Sequence, residues 1–296
     1  MTFQAPRSTP GTRPERIVVN GITYSFVTRQ RGDFSVIYKS EDKFIRIGNP
    51  DKIHRDLALH RKMEESGFPV ATLLAEGEMN EEAYFIESSL GDAHFGDIFA
   101  ADMQAEGSIS SENFERFLSI AEQFAKAQLS TATAERDFAV FMDGILFSAL
   151  CEELPEYAER LRLRFGKVRE RVSQIPFVLT HGDFNPNNLY PTGVIDLEDS
   201  FFAPYGYDVV SAISHIDSFP DSHEYEFFAK YRFTTEQKDT YLQRLDTFSE
   251  KAGLPKLSLF REDLEFCRAI WLAAKIPHTP KLQRFRYDFV IQNFLT

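Results

Sequence analysis

A change of hydrophobic period near Gly91 restricts this chain to few architectures. Before it, short β-rich runs alternate with turn residues; after it, apolar positions recur at helical spacing. Asn20-Gly21 sits between Ile17-Val18-Val19 and Ile22-Thr23-Tyr24, a dipeptide suited to a two-residue hairpin because both positions accept positive φ. Further strands are expected near 35–39, 44–47, 70–76 and 83–88, with one helix over 51–66 stopped by Gly67-Phe68-Pro69-Val70. Later, Phe114, Phe117, Leu118, Ala121, Phe124, Ala125 and Gln128 trace one helix face. More helices are expected over 137–150, 155–173, 205–217, 221–231, 235–252, 258–275 and 280–294. Strands first and helices afterwards make an α+β, two-lobed pattern. Residues 1–14 read as a loose tail, 15–91 as a small five-stranded antiparallel lobe with one helix, and 92–296 as a larger, mainly helical lobe.

Charge narrows the function. The formal net charge is −12, and so acidic a surface repels phosphate backbones and anionic lipid. The densest basic run, Arg160 to Lys167, fits an amphipathic helix better than a nucleic-acid patch, so neither nucleic acid nor membrane is expected as a partner. Cys151 and Cys267 are too few and too far apart for a disulfide framework or a zinc site. The first residues lack the apolar core of a signal peptide. A cytoplasmic protein is the expectation, with its oligomeric state open.

The helical half is interrupted by Phe177–Ser200, FVLTHGDFNPNNLYPTGVIDLEDS, which alternates apolar strands with polar loops. His181, Asp183 and Asn188 form H-x-D-x-x-x-x-N, and Gly193-Val194-Ile195 then delivers Asp196. This is the spacing by which kinases place a catalytic Asp and a metal-binding Asn on one loop, with a metal-binding Asp following. Phosphoryl transfer needs cations on the phosphates and a group that orients the attacking hydroxyl, rather than covalent chemistry from the protein. Asp183 can hold or deprotonate the hydroxyl, a role worth about 10²–10⁴-fold in rate. Asn188 and Asp196 offer the oxygen donors that Mg²⁺ prefers. The bland alternative is an Asx-rich turn; the flanking apolar strands favour the catalytic loop. His181 is read as a hydrogen-bonded structural residue.

These motifs resemble the aminoglycoside phosphotransferase and choline kinase-like superfamily, relatives of the protein kinases. The resemblance is specific at His181–Asn188 and Gly193–Glu198, and looser over 16–215. It implies a protein-kinase-like fold, ATP or GTP as donor, Mg²⁺ as cofactor, and Asp208 of Tyr207-Asp208 as a buttress of the loop. It places Glu87 and Ser89 of Tyr84–Gly91 at the base of the nucleotide, and the Gly32–Ser35 turn, ending at Ser35, over the phosphates. The cation that usually pairs with phosphate falls on Arg46, with Lys39 and Lys43 as competitors, and its acidic partner on Asp56. Arg46 and Asp56 depart from the usual Lys and Glu, and an exposed strand Arg beside a solvated helix Asp is the plain alternative.

The acceptor is a small molecule with a hydroxyl. Asp217, Asp221 and Glu224, with Glu226 and nearby aromatics, could receive a cationic one, or they could be a solvated acidic helix face. An aminoglycoside-like antibiotic is favoured. Choline or ethanolamine, homoserine and sugars are alternative acceptors, and a non-catalytic nucleotide-binding protein of the same fold is a second class.

Overall fold

The structure is a computed structural model and describes residues 13–29, 35–220, 230–275 and 280–295. The chain divides into two units: one contains the residues up to Ala58 together with Thr72–Ser89, the other Leu59–Ala71 and everything from Leu90 onward.

The first unit is an antiparallel sheet of β1 (Arg16–Val19), β2 (Ile22–Arg29), β3 (Ser35–Ser40), β4 (Lys43–Gly48), β5 (Leu73–Met79) and β6 (Glu82–Ser88), with α1 (Pro50–Glu65) starting from it. The order is β1-β2-β3-β4-β6-β5, six strands rather than the expected five, because the Asn20-Gly21 hairpin contributes two strands of its own. Asn20 and Gly21 have φ of 51° and 77°, the positive values that such a turn requires. Alternation along the strands separates two faces. Tyr24, Val36, Tyr38, Ile45, Ile47, Tyr84 and Ile86 bury one another on one face, while Ala83 and Phe85 pack with Ile53 and Leu57 of α1 on the other.

In the second unit the helices are α2 (Phe95–Glu106), α3 (Ser111–Ser130), α4 (Phe138–Gly144), α5 (Phe147–Glu153) and α6 (Ala158–Val172), followed after the strands by α7 (Tyr207–Ser214), α8 (Thr235–Lys251), α9 (Arg261–Lys275) and α10 (Pro280–Phe294). Between α6 and α7 lie β7 (Phe177–Leu179), β8 (Leu189–Tyr190), β9 (Gly193–Val194) and β10 (Phe202–Pro204). The stripe read on α3 is the core stripe: Phe117, Leu118, Ala121, Phe124 and Ala125 are fully or nearly fully buried. Each large apolar side chain removed from water contributes about 1.5–3 kcal/mol before entropy is counted.

Two differences from expectation have local causes. The helix expected over 137–150 breaks at Leu146, whose φ is 57°; just before it, the ring of Phe201 lies where a Cβ on Gly144 would be, 2.4 Å away. Helix α2 follows the Gly91 boundary with no strong apolar period in its sequence, and its start is capped by the His94 side chain accepting from the Asp97 N–H. The helix expected over 221–231 falls largely outside the described residues. Among those described, no helix is long and apolar enough to cross a membrane.

Candidate active site

The strands around the H-x-D-x-x-x-x-N loop are short, and their pairing sets the loop's shape. β7 and β10 pair antiparallel, Leu179 opposite Phe202, and the Thr180 N–H continues the ladder to the Phe201 carbonyl at 2.9 Å. β8 and β9 form a hairpin with Leu189 opposite Val194. Beyond that pair the Ile195 N–H donates to the Asn188 carbonyl at 3.0 Å, so Asp196 follows directly on the peptide bonded to Asn188. Gly193 lets the hairpin approach the turn after α1: the Val194 N–H reaches the Pro69 carbonyl at 2.7 Å, and a Cβ on Gly193 would lie 2.5 Å from that same oxygen.

His181, fully buried, ties the two loops together. Its Nε2–H donates to the Ile195 carbonyl at 2.7 Å, which leaves Nδ1 to accept from the Asp183 N–H at 3.3 Å. Both ring nitrogens are thereby occupied, as the structural reading of His181 requires. Gly182 has a φ of 81°, and a Cβ there would lie 2.0 Å from the Asp199 carbonyl oxygen; only glycine fits. Phe184 anchors the loop against Phe124 at 4.4 Å between ring centroids.

Asp208 sits behind the loop in the first turn of α7. Its Oδ2 accepts from the His181 N–H at 2.7 Å and its Oδ1 from the Gly182 N–H at 3.1 Å. Burial pushes its pKa up to about 6, against the pull of His181, the two N–H donors and Arg268. Gln128 of α3 also donates to Oδ2, at 2.9 Å. The sequence carried a signal for Gln128, a polar residue on an otherwise apolar face, but not for what it holds.

The Asp183 carboxylate has a partner that no local pattern announced. Arg268 of α9 donates through Nη1 to the Gly182 carbonyl at 2.6 Å and through Nη2 to Asp183 Oδ1. Asn185 donates to the same Oδ1 at 3.0 Å. Asn188 donates through Nδ2 to the Asp183 carbonyl at 2.9 Å and to Oδ2 at 3.2 Å. Burial raises the Asp183 pKa, but Arg268, His215 and His181 together more than offset it, so the carboxyl lies below its ordinary range and is ionised at neutral pH. Arg268 Nη2 also lies 3.0 Å from His215 Nδ1. A guanidinium only donates, so His215 accepts there as a neutral imidazole; burial, then Arg268, pull its pKa down to about 3.

Asn188 spends Nδ2 on Asp183, while its Oδ1 is an acceptor. Asp196, half-buried, has φ of 65° and ψ of 57°, a left-handed conformation that non-glycine residues seldom adopt outside functional sites and turns. The carbonyl and carboxylate oxygens suit Mg²⁺. Among the described residues no cluster of three or more His, Cys, Asp or Glu could cage a metal by itself.

In the first unit Arg46 and Asp56 do meet, Nη1 to Oδ2 at 3.4 Å, but Asp56 is shared with Lys52 at 3.2 Å. Arg46 lies opposite Phe85 in the register, on the α1 face. Lys43 alternates to the other face, and Lys39 rests over the Phe44 ring at 5.3 Å. Ser35 is buried at the start of β3, and residues 30–34 of the expected phosphate-covering turn, Gly32 among them, lie outside the described residues. Glu87 is paired on both sides in the sheet, and the Ser89 N–H donates to the Asp42 carbonyl at 2.7 Å, so that donor is already engaged. Asp217 is held by Lys238 at 2.6 Å. Asp221 and Glu224 lie outside the described residues. Trp271 is buried, as expected of a core residue, with Arg268 at 4.2 Å and Lys275 at 4.7 Å from its ring.

Comparisons with known proteins bear on this arrangement. No match is found among curated protein sequences. Among solved structures, the chain is similar to a choline/ethanolamine kinase family protein from Mesorhizobium loti, with a TM-score of 0.59 and 14% identity over 94% of this chain and 90% of that one. It is also similar to a thermostable mutant of aminoglycoside phosphotransferase APH(4)-Ia in ternary complex with AMP-PNP and hygromycin B, with a TM-score of 0.52 and 15% identity over 91% of this chain and 94% of that one. At such identities these likenesses speak for the fold, a two-lobed kinase-like α+β fold. The sequence profile named APH, phosphotransferase enzyme family, matches residues 31–246, well over half of the chain. On that match, the chain belongs to the APH phosphotransferase enzyme family.

Proposed function

We propose that this small-molecule phosphotransferase moves the γ-phosphoryl group of ATP or GTP to a hydroxyl of a small acceptor, with Asp183 as the residue that meets the hydroxyl. The observation that carries this reading is the hydrogen bonding of Asp183. Its Oδ1 is occupied by Arg268 and Asn185, whereas among the described residues Oδ2 has only the 3.2 Å contact from Asn188. Oδ2 therefore keeps acceptor capacity for an incoming O–H.

In the reaction the acceptor oxygen forms a bond to the γ-phosphorus. The bond from that phosphorus to the β–γ bridging oxygen breaks, and the nucleoside diphosphate leaves with the electron pair. The hydroxyl proton passes to Asp183 Oδ2. With its pKa lowered beside Arg268, Asp183 is a weak base that orients the hydroxyl and takes the proton late. Asn188 Oδ1 and the Asp196 carboxylate are the groups that would hold Mg²⁺, which would supply the positive charge that offsets the phosphates. His181 and Asp208 keep the loop in register, and in the first unit Arg46, oriented by Asp56, is assigned to the donor phosphates.

The expected aminoglycoside-like acceptor rested on the family and on Asp217, Asp221 and Glu224. Asp217 is already paired with Lys238, so the acceptor is taken here only as a small hydroxylated molecule.

The test is release of ADP or GDP by purified protein with Mg-ATP or Mg-GTP across hydroxylated acceptors, wild type beside Asp183→Ala. A loss of about 10²–10⁴-fold in the variant is expected. Equal turnover by the two proteins would remove Asp183 from the mechanism.

A further inference from the structure

Helices α9 and α10 carry cations toward the loop of Asp183, in a chain whose net charge is −12. Lys275 is matched by Asp199, and Arg268 by Asp183. Among the described residues Arg286 of α10 has no acidic partner. It is 1% exposed, its Nη1 donates to the Leu272 carbonyl at 3.0 Å, and its Nε and Nη2 have no hydrogen-bond partner.

Arg286 is close to the chemistry. Its guanidinium carbon stands 5.0 Å from the Phe219 ring centroid, and the Phe219 ring lies 5.6 Å from that of His215. His215 in turn accepts from Arg268, which holds Asp183. Burial, then the neighbouring Arg268, lower the Arg286 pKa to about 10, while Asp183 raises it; it remains a cation at neutral pH. The group thus contains two guanidiniums, one carboxylate and a neutral imidazole. Among the described residues no nearby acid restores the balance: Asp217 is neutralised by Lys238, and Asp208 is spent on the loop N–H groups and Gln128.

A buried guanidinium with two idle donors is costly unless an anion comes to it. Nε and Nη2 form one edge of the guanidinium plane, the edge that grips a carboxylate or phosphate through two parallel hydrogen bonds. A cationic acceptor would add to a buried positive surplus, and an anionic one would cancel it. We propose that the acceptor carries an oxyanion, a carboxylate or a phosphate ester, beside the hydroxyl presented to Asp183, and that Arg286 Nε and Nη2 receive it. This rests on the phosphotransferase reading of Asp183 given above.

Two measurements on the full chain separate the inference from that reading. The first is thermal melting of wild type, Arg286→Lys and Arg286→Met in chloride, D-gluconate and inorganic phosphate at equal ionic strength. A rise of about 3 °C or more is expected for wild type in either oxyanion, and no rise in Arg286→Met. Absence of an oxyanion-specific rise in wild type overturns the inference whether or not the enzyme turns over. The second is nucleotide-dependent turnover of acceptors matched on one carbon chain: D-gluconate, D-glucose and D-glucosamine, and likewise glycerate, glycerol and 3-amino-1,2-propanediol. The anionic member of a set is expected to lead by about 10²-fold or more in kcat/KM, with Arg286→Lys raising its KM more than it lowers kcat. A lead by the neutral or cationic members overturns the inference and leaves the phosphotransferase reading standing. Oxyanion stabilisation that depends on Arg286, with no acceptor turned over, supports the anion site and counts against Asp183 chemistry.

Discussion

Two ion pairs, one in each unit, show how differently charge can be used in one chain. Arg46 and Asp56 are ten residues apart, meet at 3.4 Å with side chains 12% and 14% exposed, and share Asp56 with Lys52. Arg268 and Asp183 are 85 residues apart, with side chains 2% and 22% exposed. The first pair joins a strand to the helix that follows it. The second joins α9 to a loop that is already committed to Asp208, Asn185 and Asn188. A pair whose carboxylate already has a second cation can lose one partner with little effect. A guanidinium held in a network with almost no exposure cannot lose its carboxylate so easily, because it would remain a charge without water.

The largest effect should come from breaking the buried pair. Arg268→Ala takes the guanidinium out of the Asp183 network, and a loss of up to about 3–5 kcal/mol of stability is expected. Urea unfolding measures it, and a loss below about 1 kcal/mol would mean that the pair is far better hydrated than its burial indicates. Arg268→Met, which fills the volume but not the charge, should unfold at similar or lower denaturant, since the Asp183 carboxylate still lacks its partner.

The next effect is a pH dependence beside the same pair. Protonated His215 is strongly disfavoured in the folded protein, where its pKa is about 3, against an ordinary value of 6.5. The stability it contributes is therefore complete above pH 6.5 and is lost as pH falls toward 3. Between pH 7 and 5 that loss is about 2 kcal/mol. Asp208, raised to about 6, runs the other way: its burial is less costly once it is protonated, so it favours the fold as pH drops through 6. The two tendencies oppose each other in the wild type, and the difference between wild type and His215→Gln isolates the histidine. Expected is a variant that gains about 2 kcal/mol relative to wild type on going from pH 7 to 5. Parallel profiles would place a charged imidazole beside Arg268, contrary to the hydrogen bond at Nδ1.

The smallest effect belongs to the pair shared with Lys52. Arg46→Ala should cost no more than about 1 kcal/mol in unfolding, while the KM for Mg-ATP or Mg-GTP rises about tenfold, the equivalent of ~1.4 kcal/mol. Arg46→Lys should recover part of that, because it keeps the charge and loses the planar fork. An unchanged KM in Arg46→Ala would return Arg46 to the role of an ordinary strand residue and break the contrast between the two pairs.

The limits of the sequence follow the same division. Hydrophobic period is local, so the strand-rich beginning, the α3 stripe, the Asn20-Gly21 hairpin and the helices over 235–251 and 280–294 were all legible. So was the spacing of His181, Asp183, Asn188 and Asp196, because strand, loop and hairpin lie within one stretch whose hydrogen bonds are mostly to itself. Arg268, Arg286 and Gln128 were not legible as neighbours of that stretch. Nothing within α9 or α10 marks an arginine that will be buried rather than solvated, since the sequences around both alternate charge and apolar residues as any surface helix does.

By itself, then, the amino-acid order determined the two-part α+β fold and a loop that brings His181, Asp183 and Asn188 together, for short-range pairing and period suffice for both. Tertiary packing decided which charge meets Asp183, which of its oxygens stays available, and that a second guanidinium is left unmatched near it. Those outcomes depend on contacts 80 to 86 positions apart along the chain, and a contact of that range is set only when helices dock, by shape and burial that no single segment encodes.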